Sequence, residues 1–253
     1  MKNFVLVLLA WMGILAGQTN LEKGAAAYDR RAEGSREDKA QPGAISEAIE
    51  YYRLALDDPN TEIDAAIGLL KSYYFKGKYV ARTKDEQKTV FNEAKKLAVT
   101  FIKKYPKRPD FHYWYLTNLG SWAEVYGILA AAREGVADQM REHALKIIGL
   151  DPNYEDGGGY FMLGAVHYKS PYIPFLLSWP DNEEAVKWLE KAVNTGEATP
   201  VQKVYLAQAL YKEKEKEGAL KLLNAVANMT PSRNDPLSDW EQIKKARAFL
   251  KEY

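Results

Sequence analysis

The chain has 253 residues, 47% hydrophobic and 27% charged, which supplies enough apolar material for a sizeable buried core. Lysine and arginine number 35 against 34 acidic residues, so no basic excess is available to hold nucleic acid or an anionic membrane. Cysteine is absent, which excludes disulfides, thiolate metal sites and lipidation through a cysteine.

The first predicted element is a secretory signal over residues 1–17. Lys2 supplies the positive charge, residues 4–15 form an apolar run interrupted only by Gly13, and small Ala16 and Gly17 precede polar Gln18. The run is shorter than the ~20 apolar residues that a membrane span needs. An uncleaved N-terminal anchor is the competing reading. Leu15-Ala16-Gly17 looks like the start of a lipoprotein box, but Gln18 stands where the lipidated cysteine belongs. The expectation is therefore a periplasmic, exported protein that is not a lipoprotein. Cleavage would remove Lys2 alone among charged residues and leave 34 basic against 34 acidic side chains.

Beyond residue 17 the pattern is helical throughout. Amphipathic stretches with Ala, Leu and Tyr at spacings of three and four are separated by short breaks around Pro59, Pro106, Pro152, Pro200 and Pro231. A first unit ends on Ala48, Tyr52 and Ala55-Leu56. Longer units follow around Leu69, Tyr73, Ala94 and Phe101, then Leu119-Gly120, Ala144 and Ile148. The fourth unit reads Tyr160, Leu163-Gly164 and His167 and, after an insertion, Ala185, Leu189 and Ala192. The last is the most regular: Leu206-Ala207, Leu210, Ala219, Leu223, Val226 and Pro231. These are the positions at which tetratricopeptide (TPR) repeats pack two helices and close the unit with proline. Residues 18–253 are thus predicted to form a single all-α domain, a TPR-like helical-hairpin solenoid of four to five repeats. Residues 236–253, with Trp240, Ile243, Ala246 and Phe249-Leu250 on one side, are its capping C-terminal helix. The stretch 34–42 is expected to be a mobile polar loop and 212–217 a solvated charged run.

Tests for chemistry find little. The segment Asp151 to Gly157 opens like a calcium loop, but its glycine is one place late and Met162 stands where a bidentate Glu is needed. Gly157-Gly158-Gly159 lacks the Lys-Ser/Thr of a phosphate loop and reads better as a tight turn into a helix. His112, His143 and His167 fall on separate predicted helices with no partner for a zinc site. No catalytic elbow is present. No cofactor and no enzymatic activity are predicted.

Two segments are candidates for binding. The insertion 168–180 carries three prolines and large apolar residues where a linker would be polar. Either it folds back on the solenoid as a lid, or Tyr172, Phe175, Leu176 and Trp179 line a pocket or partner surface. The second is the stripe Phe111, Trp114, Tyr115, Asn118, Trp122 and Tyr126 on one helical face. Such a stripe is core in the plainer reading. In the functional one its aromatics concentrate binding energy and Asn118 orients a ligand. Tyr160 and His167, on the helix leading into the insertion, complete the candidate set.

Over residues 44–226 the sequence resembles the T component of tetratricopeptide-associated TRAP transporters. The likeness is carried by Tyr73-Tyr74-Phe75-Lys76-Gly77, by Trp114-Tyr115-Leu116-Thr117-Asn118-Leu119-Gly120, and above all by Gly158-Gly159-Tyr160-Phe161-Met162-Leu163-Gly164 with the proline-rich loop after it. The resemblance implies a helper that docks a periplasmic solute-binding protein and passes it a hydrophobic or organic-acid ligand. It also implies a capacity for homo-oligomers. The alternative is a generic TPR scaffold for protein assembly in the cell envelope.

Overall fold

The computed structural model describes residues 18–252 apart from 174 and 176, so the predicted signal segment and Leu176 lie outside the described residues. Proline and polar caps start the helices. Pro42, Pro109 and Pro200 occupy first-turn positions, where the missing N–H costs nothing. Thr83 with Glu86 and Thr199 with Gln202 form capping boxes, and the Asp181 carboxylate accepts from the Glu184 N–H.

The described residues form five helix pairs and a cap. The pairs are α1 (Asn20–Asp29) with α2 (Pro42–Ala55), α3 (Glu62–Phe75) with α4 (Lys84–Lys104), and α5 (Pro109–Tyr126) with α7 (Val136–Leu150). Between α5 and α7 lies the short α6 (Ile128–Arg133). The remaining pairs are α8 (Gly158–Lys169) with α9 (Asn182–Val193) and α10 (Pro200–Lys212) with α11 (Lys216–Ala227); α12 (Pro236–Glu252) packs on both α10 and α11. The first helix of each pair also touches the first helix of the next, α1 to α3, α3 to α5, α5 to α8, α8 to α10 and α10 to α12. Those first helices therefore line the inner face of a superhelix.

Small residues set the close approach within pairs. Ala207 and Ala219 are fully buried between α10 and α11, as are Ala185 and Ala192 between α8 and α9. At Gly164 a Cβ would lie 2.6 Å from Leu189 Cγ and 3.0 Å from the Leu189 amide nitrogen, so only glycine fits. The glycines that open α8 serve packing in the same way. A Cβ on Gly158 would meet the Tyr113 ring at 2.6 Å, and one on Gly159 would meet Ile148 at 2.9 Å.

Two features depart from the plain repeat. The α3 helix runs into a five-residue π-helical turn, Lys76–Val80, which carries Lys78 and Tyr79. The loop 34–42 is pinned rather than mobile. The Ala40 N–H donates to the Tyr79 carbonyl (3.0 Å), the Ala40 carbonyl accepts from Arg82 (2.8 Å), and Glu37 and Asp38 both bind Lys244 (3.1 and 2.9 Å). These contacts join α12 to the first pair. Arg31 Nη2 donates to the Asn234 carbonyl at 2.9 Å, and Glu241 meets Lys78 at 3.0 Å and the Tyr79 hydroxyl at 3.3 Å. The superhelix closes on itself through a polar seam.

Candidate functional site

The inner face of the superhelix carries a half-open cavity of about 370 Å³. Its apolar wall comes from Leu116 on α5, Val136 and Met140 on α7, and Phe161, Met162 and Val166 on α8. Both excursions from the regular repeat reach it. Ile128, Ala131 and Ala132 approach from α6, and Pro171, Ile173 and Leu177 from the proline-rich insertion. In the insertion, Ile173 and Leu177 exchange backbone hydrogen bonds of 2.8 Å, and this two-bond bridge turns both toward the cavity. On α5 the cavity side is open because it carries small groups. A Cβ at Gly120 would meet nothing within 4 Å.

The polar end of the cavity is built by Lys78, Glu124, Lys169, Tyr205, Glu241 and Lys245. Lys78 bridges Glu124 (3.3 Å) and Glu241 (3.0 Å), and Lys245 reaches Glu241 at 2.8 Å. Burial opposes charge on Lys78, but Tyr74, Glu241 and Glu124 outweigh it and hold the ammonium above its ordinary value. Burial likewise opposes charge on Glu241, and the two lysines outweigh it and hold the carboxyl below its usual range. Lys169 differs. Its side chain is exposed at the end of α8, and the part of it that packs against the protein pushes its pKa down, against the pull of Glu124 and with the help of Lys245 and Lys78.

The predicted site residues divide into several environments. Asn118 is fully buried and clamps helices together, its amide donating to the Leu70 carbonyl (3.2 Å) and the Trp114 carbonyl (2.8 Å). Trp114 is half-buried under Lys71, 5.3 Å from its ring, and against Tyr74. Trp122 is buried, donates its indole N–H to Asn92 (2.8 Å) and stacks on Tyr126 at 4.2 Å, whose hydroxyl accepts from the same Asn92 amide. These four face α3 and α4, whereas Leu116, Thr117, Gly120 and Glu124 of the same helix face the cavity. Tyr160 is buried against Trp188, its ring 6.0 Å away.

His167 and Trp179 meet edge to face at 4.9 Å and anchor the insertion. The Asp181 N–H donates to His167 Nδ1 (3.2 Å), and the Trp179 indole donates to Asp138 on α7 (2.8 Å). Burial pushes the His167 pKa down. Tyr172 is largely exposed and Phe175 wholly so, with a left-handed φ of 64° that disfavours a bulky residue. Ile128 and Leu129 on α6 are also exposed, 64% and 77%. Sequence reasoning missed α6, Ile173, Leu177 and Lys169. The signal available was the absence of charge over 127–132 and 170–180, the second run following directly on a lysine.

One pair of histidines is not solitary. His112 and His143 face each other with Nδ1 atoms 2.6 Å apart, and His112 Nε2 lies 2.9 Å from the Pro106 carbonyl. The carbonyl can only accept, so His112 carries its proton on Nε2 and the His143 Nδ1–H donates to His112. Burial first, and then His112 itself, bring the His143 pKa down to about 4.

Helix pairs stacked through their first helices define the chain as an all-α solenoid of the TPR type. A thermophilic TPR protein from Thermus thermophilus, solved as a crystal structure, has this fold: TM-score 0.62, 14% identity, covering 90% of this chain and 97% of that one. Residues 25–176 match the family described as Regulator of microtubule dynamics protein 1-3, and the chain belongs to that family. No curated protein sequence matches it. Among the described residues no group of three or more His, Asp or Glu could hold a metal ion, and no helix is long and apolar enough to cross a membrane. TPR-type folds typically serve as scaffolds for protein interaction.

Proposed function

We propose that the protein is a non-enzymatic binding module whose inner cavity holds a small apolar ligand. The observation that supports this most is that both excursions from the regular repeat, α6 and the proline-rich insertion, contribute apolar side chains to the same cavity. A cavity lined mostly by apolar groups with a few convergent polar ones is the usual form of a small-ligand site. Titration with a neutral solvatochromic dye such as Nile red should show saturable binding. Gly120→Leu, which projects into open space, should abolish it without lowering the unfolding midpoint. Unchanged dye binding in that variant would sink the reading.

The finer proposal is that the module works as a T component does, exported to the periplasm by residues 1–17 and docked on a solute-binding protein. The exposed apolar pairs Ile128 with Leu129 and Tyr172 with Phe175 suit such a contact, since both segments also line the cavity. Copurification from the native envelope should yield a solute-binding protein, and N-terminal sequencing should find a start near Gln18. A chain still beginning at Met1 would contradict export with cleavage. The second reading is a general assembly scaffold whose inner face takes a peptide or helix, and the same exposed residues favour it. Dye binding separates the two: saturable binding that Gly120→Leu abolishes supports the first, and capture of a peptide or helix with no dye binding supports the second.

A further inference from the structure

One buried amide in the cavity lining is left without a partner, and its chemistry specifies what the cavity recognises. The α12 helix presents Glu241, Gln242 and Lys245 to the lining. Glu241 is held by Lys78 and Lys245, and Lys78 also holds Glu124. Two hydroxyls on the α5 side are engaged as well, Thr117 donating to the Tyr113 carbonyl and Ser121 to the Thr117 carbonyl, both at 3.0 Å. Gln242 differs. It is only 3% exposed, its Oε1 is shut off from solvent with no hydrogen-bond partner, and among the described residues its amide bonds to nothing. A buried amide in that state costs free energy until a donor and an acceptor reach it.

We infer that the cavity takes a neutral aliphatic amide, its carboxamide paired with the Gln242 amide and its chain along Phe161, Met162 and Val166. The proposal rests on the cavity reading above and goes beyond it in naming the head group and the residue that selects it. Complementarity picks the group. A glutamine amide offers N–H donors and a carbonyl acceptor, and rotation about its last side-chain bond exchanges their places. A hydroxyl carries both functions on one atom and cannot reach both ends, whereas a carboxamide meets them with two parallel hydrogen bonds. Charge excludes the ions. Glu124 and Glu241 repel a carboxylate, Lys78 and Lys245 repel an ammonium, and these four neutralise one another, so either ion would enter unpaired. Lys169, the remaining cation of the lining, is exposed and solvated. The ligand thus differs from the organic acid that the T-component likeness implies.

The test is displacement of Nile red by octanamide, methyl octanoate, octanoate and octylamine, which share a chain and differ in head group. Octanamide should bind about tenfold more tightly than methyl octanoate, which can only accept, and than either ion. In Gln242→Met the amide and the ester should become equal, with ester binding unchanged. That variant lacks the unsatisfied amide and should unfold at a midpoint no lower than the native one, whereas loss of a glutamine that held the fold would lower it. Equal binding of octanamide and methyl octanoate to the native protein would overturn the head-group assignment and leave the cavity reading standing. Tighter binding of octanoate, or a bound dye that none of the four displaces, would do the same. An undiminished amide preference in Gln242→Met, or a lowered midpoint, would overturn the role of Gln242. If the dye itself does not bind, both proposals fail.

Discussion

Two helical glycines, Gly164 and Gly120, mark two kinds of surface on neighbouring inner helices. At Gly164 the space for a side chain is already taken by the Leu189 side chain and backbone and by the Ala185 carbonyl. At Gly120 there is nothing within 4 Å. One glycine closes a seam between helices and the other leaves a bowl open. The same division runs along α5, whose aromatic side is packed and hydrogen-bonded while its small-residue side faces the cavity. In this fold bulk marks structure, and the lack of bulk marks the space a ligand can use.

The largest expected effect breaks the seam. Gly164→Val should destabilise the protein by about 3 kcal/mol, the upper end for overpacking, because the clash includes backbone that cannot move aside. A denaturant midpoint close to the native one would show that α8 and α9 can separate. Next comes acid. His143, with its pKa near 4 in the fold against about 6.5 when unfolded, favours the folded state above pH 6.5. That stabilisation is lost as pH falls from there toward 4, on the order of 2 kcal/mol. Glu142 opposes the shift and Lys146 adds to it. Urea titrations from pH 7 to 4.5 should show the decline, and a shallower one in His143→Gln.

A smaller loss tests the packed side of α5. Trp122→Phe removes the indole donor from Asn92 and should cost about 1–2 kcal/mol. A double-mutant cycle with Asn92→Ala should recover most of it as coupling. The smallest effect has the opposite sign. Gly120→Ala should stabilise by roughly 0.5–1 kcal/mol, since a helical glycine loses backbone entropy and here no neighbour resists a methyl group. A loss of stability at that position would mean the bowl is not open.

Helix pairs and their proline breaks were legible because apolar spacing and proline act locally. Ala207, Ala219 and Gly164 stand where tight pairing needs small residues, and all are buried. The cavity was less legible. Trp114, Trp122 and Tyr126 drew attention through size, but size fills space, and on α5 these residues pack against α3 and α4. What opens the cavity is the pairing of small residues on α5 with apolar groups from α6 and the insertion. Those lie far apart in sequence and meet only once the helices stack. The His112–His143 contact was hidden for the same reason, since 31 positions separate them.

The polar seam has a consequence for how this chain can evolve. An open solenoid tolerates the gain or loss of a unit, because each unit touches only its neighbours. Here Arg31 meets Asn234 across 203 positions, and Lys244 holds Glu37 and Asp38. Adding or deleting one helix pair would rotate α12 away from those partners and take Glu241 and Lys245 out of the cavity lining. Repeat number, usually the freest variable in such proteins, is fixed in this one by the contacts of α12 and the turn before it with the segment that joins α1 to α2.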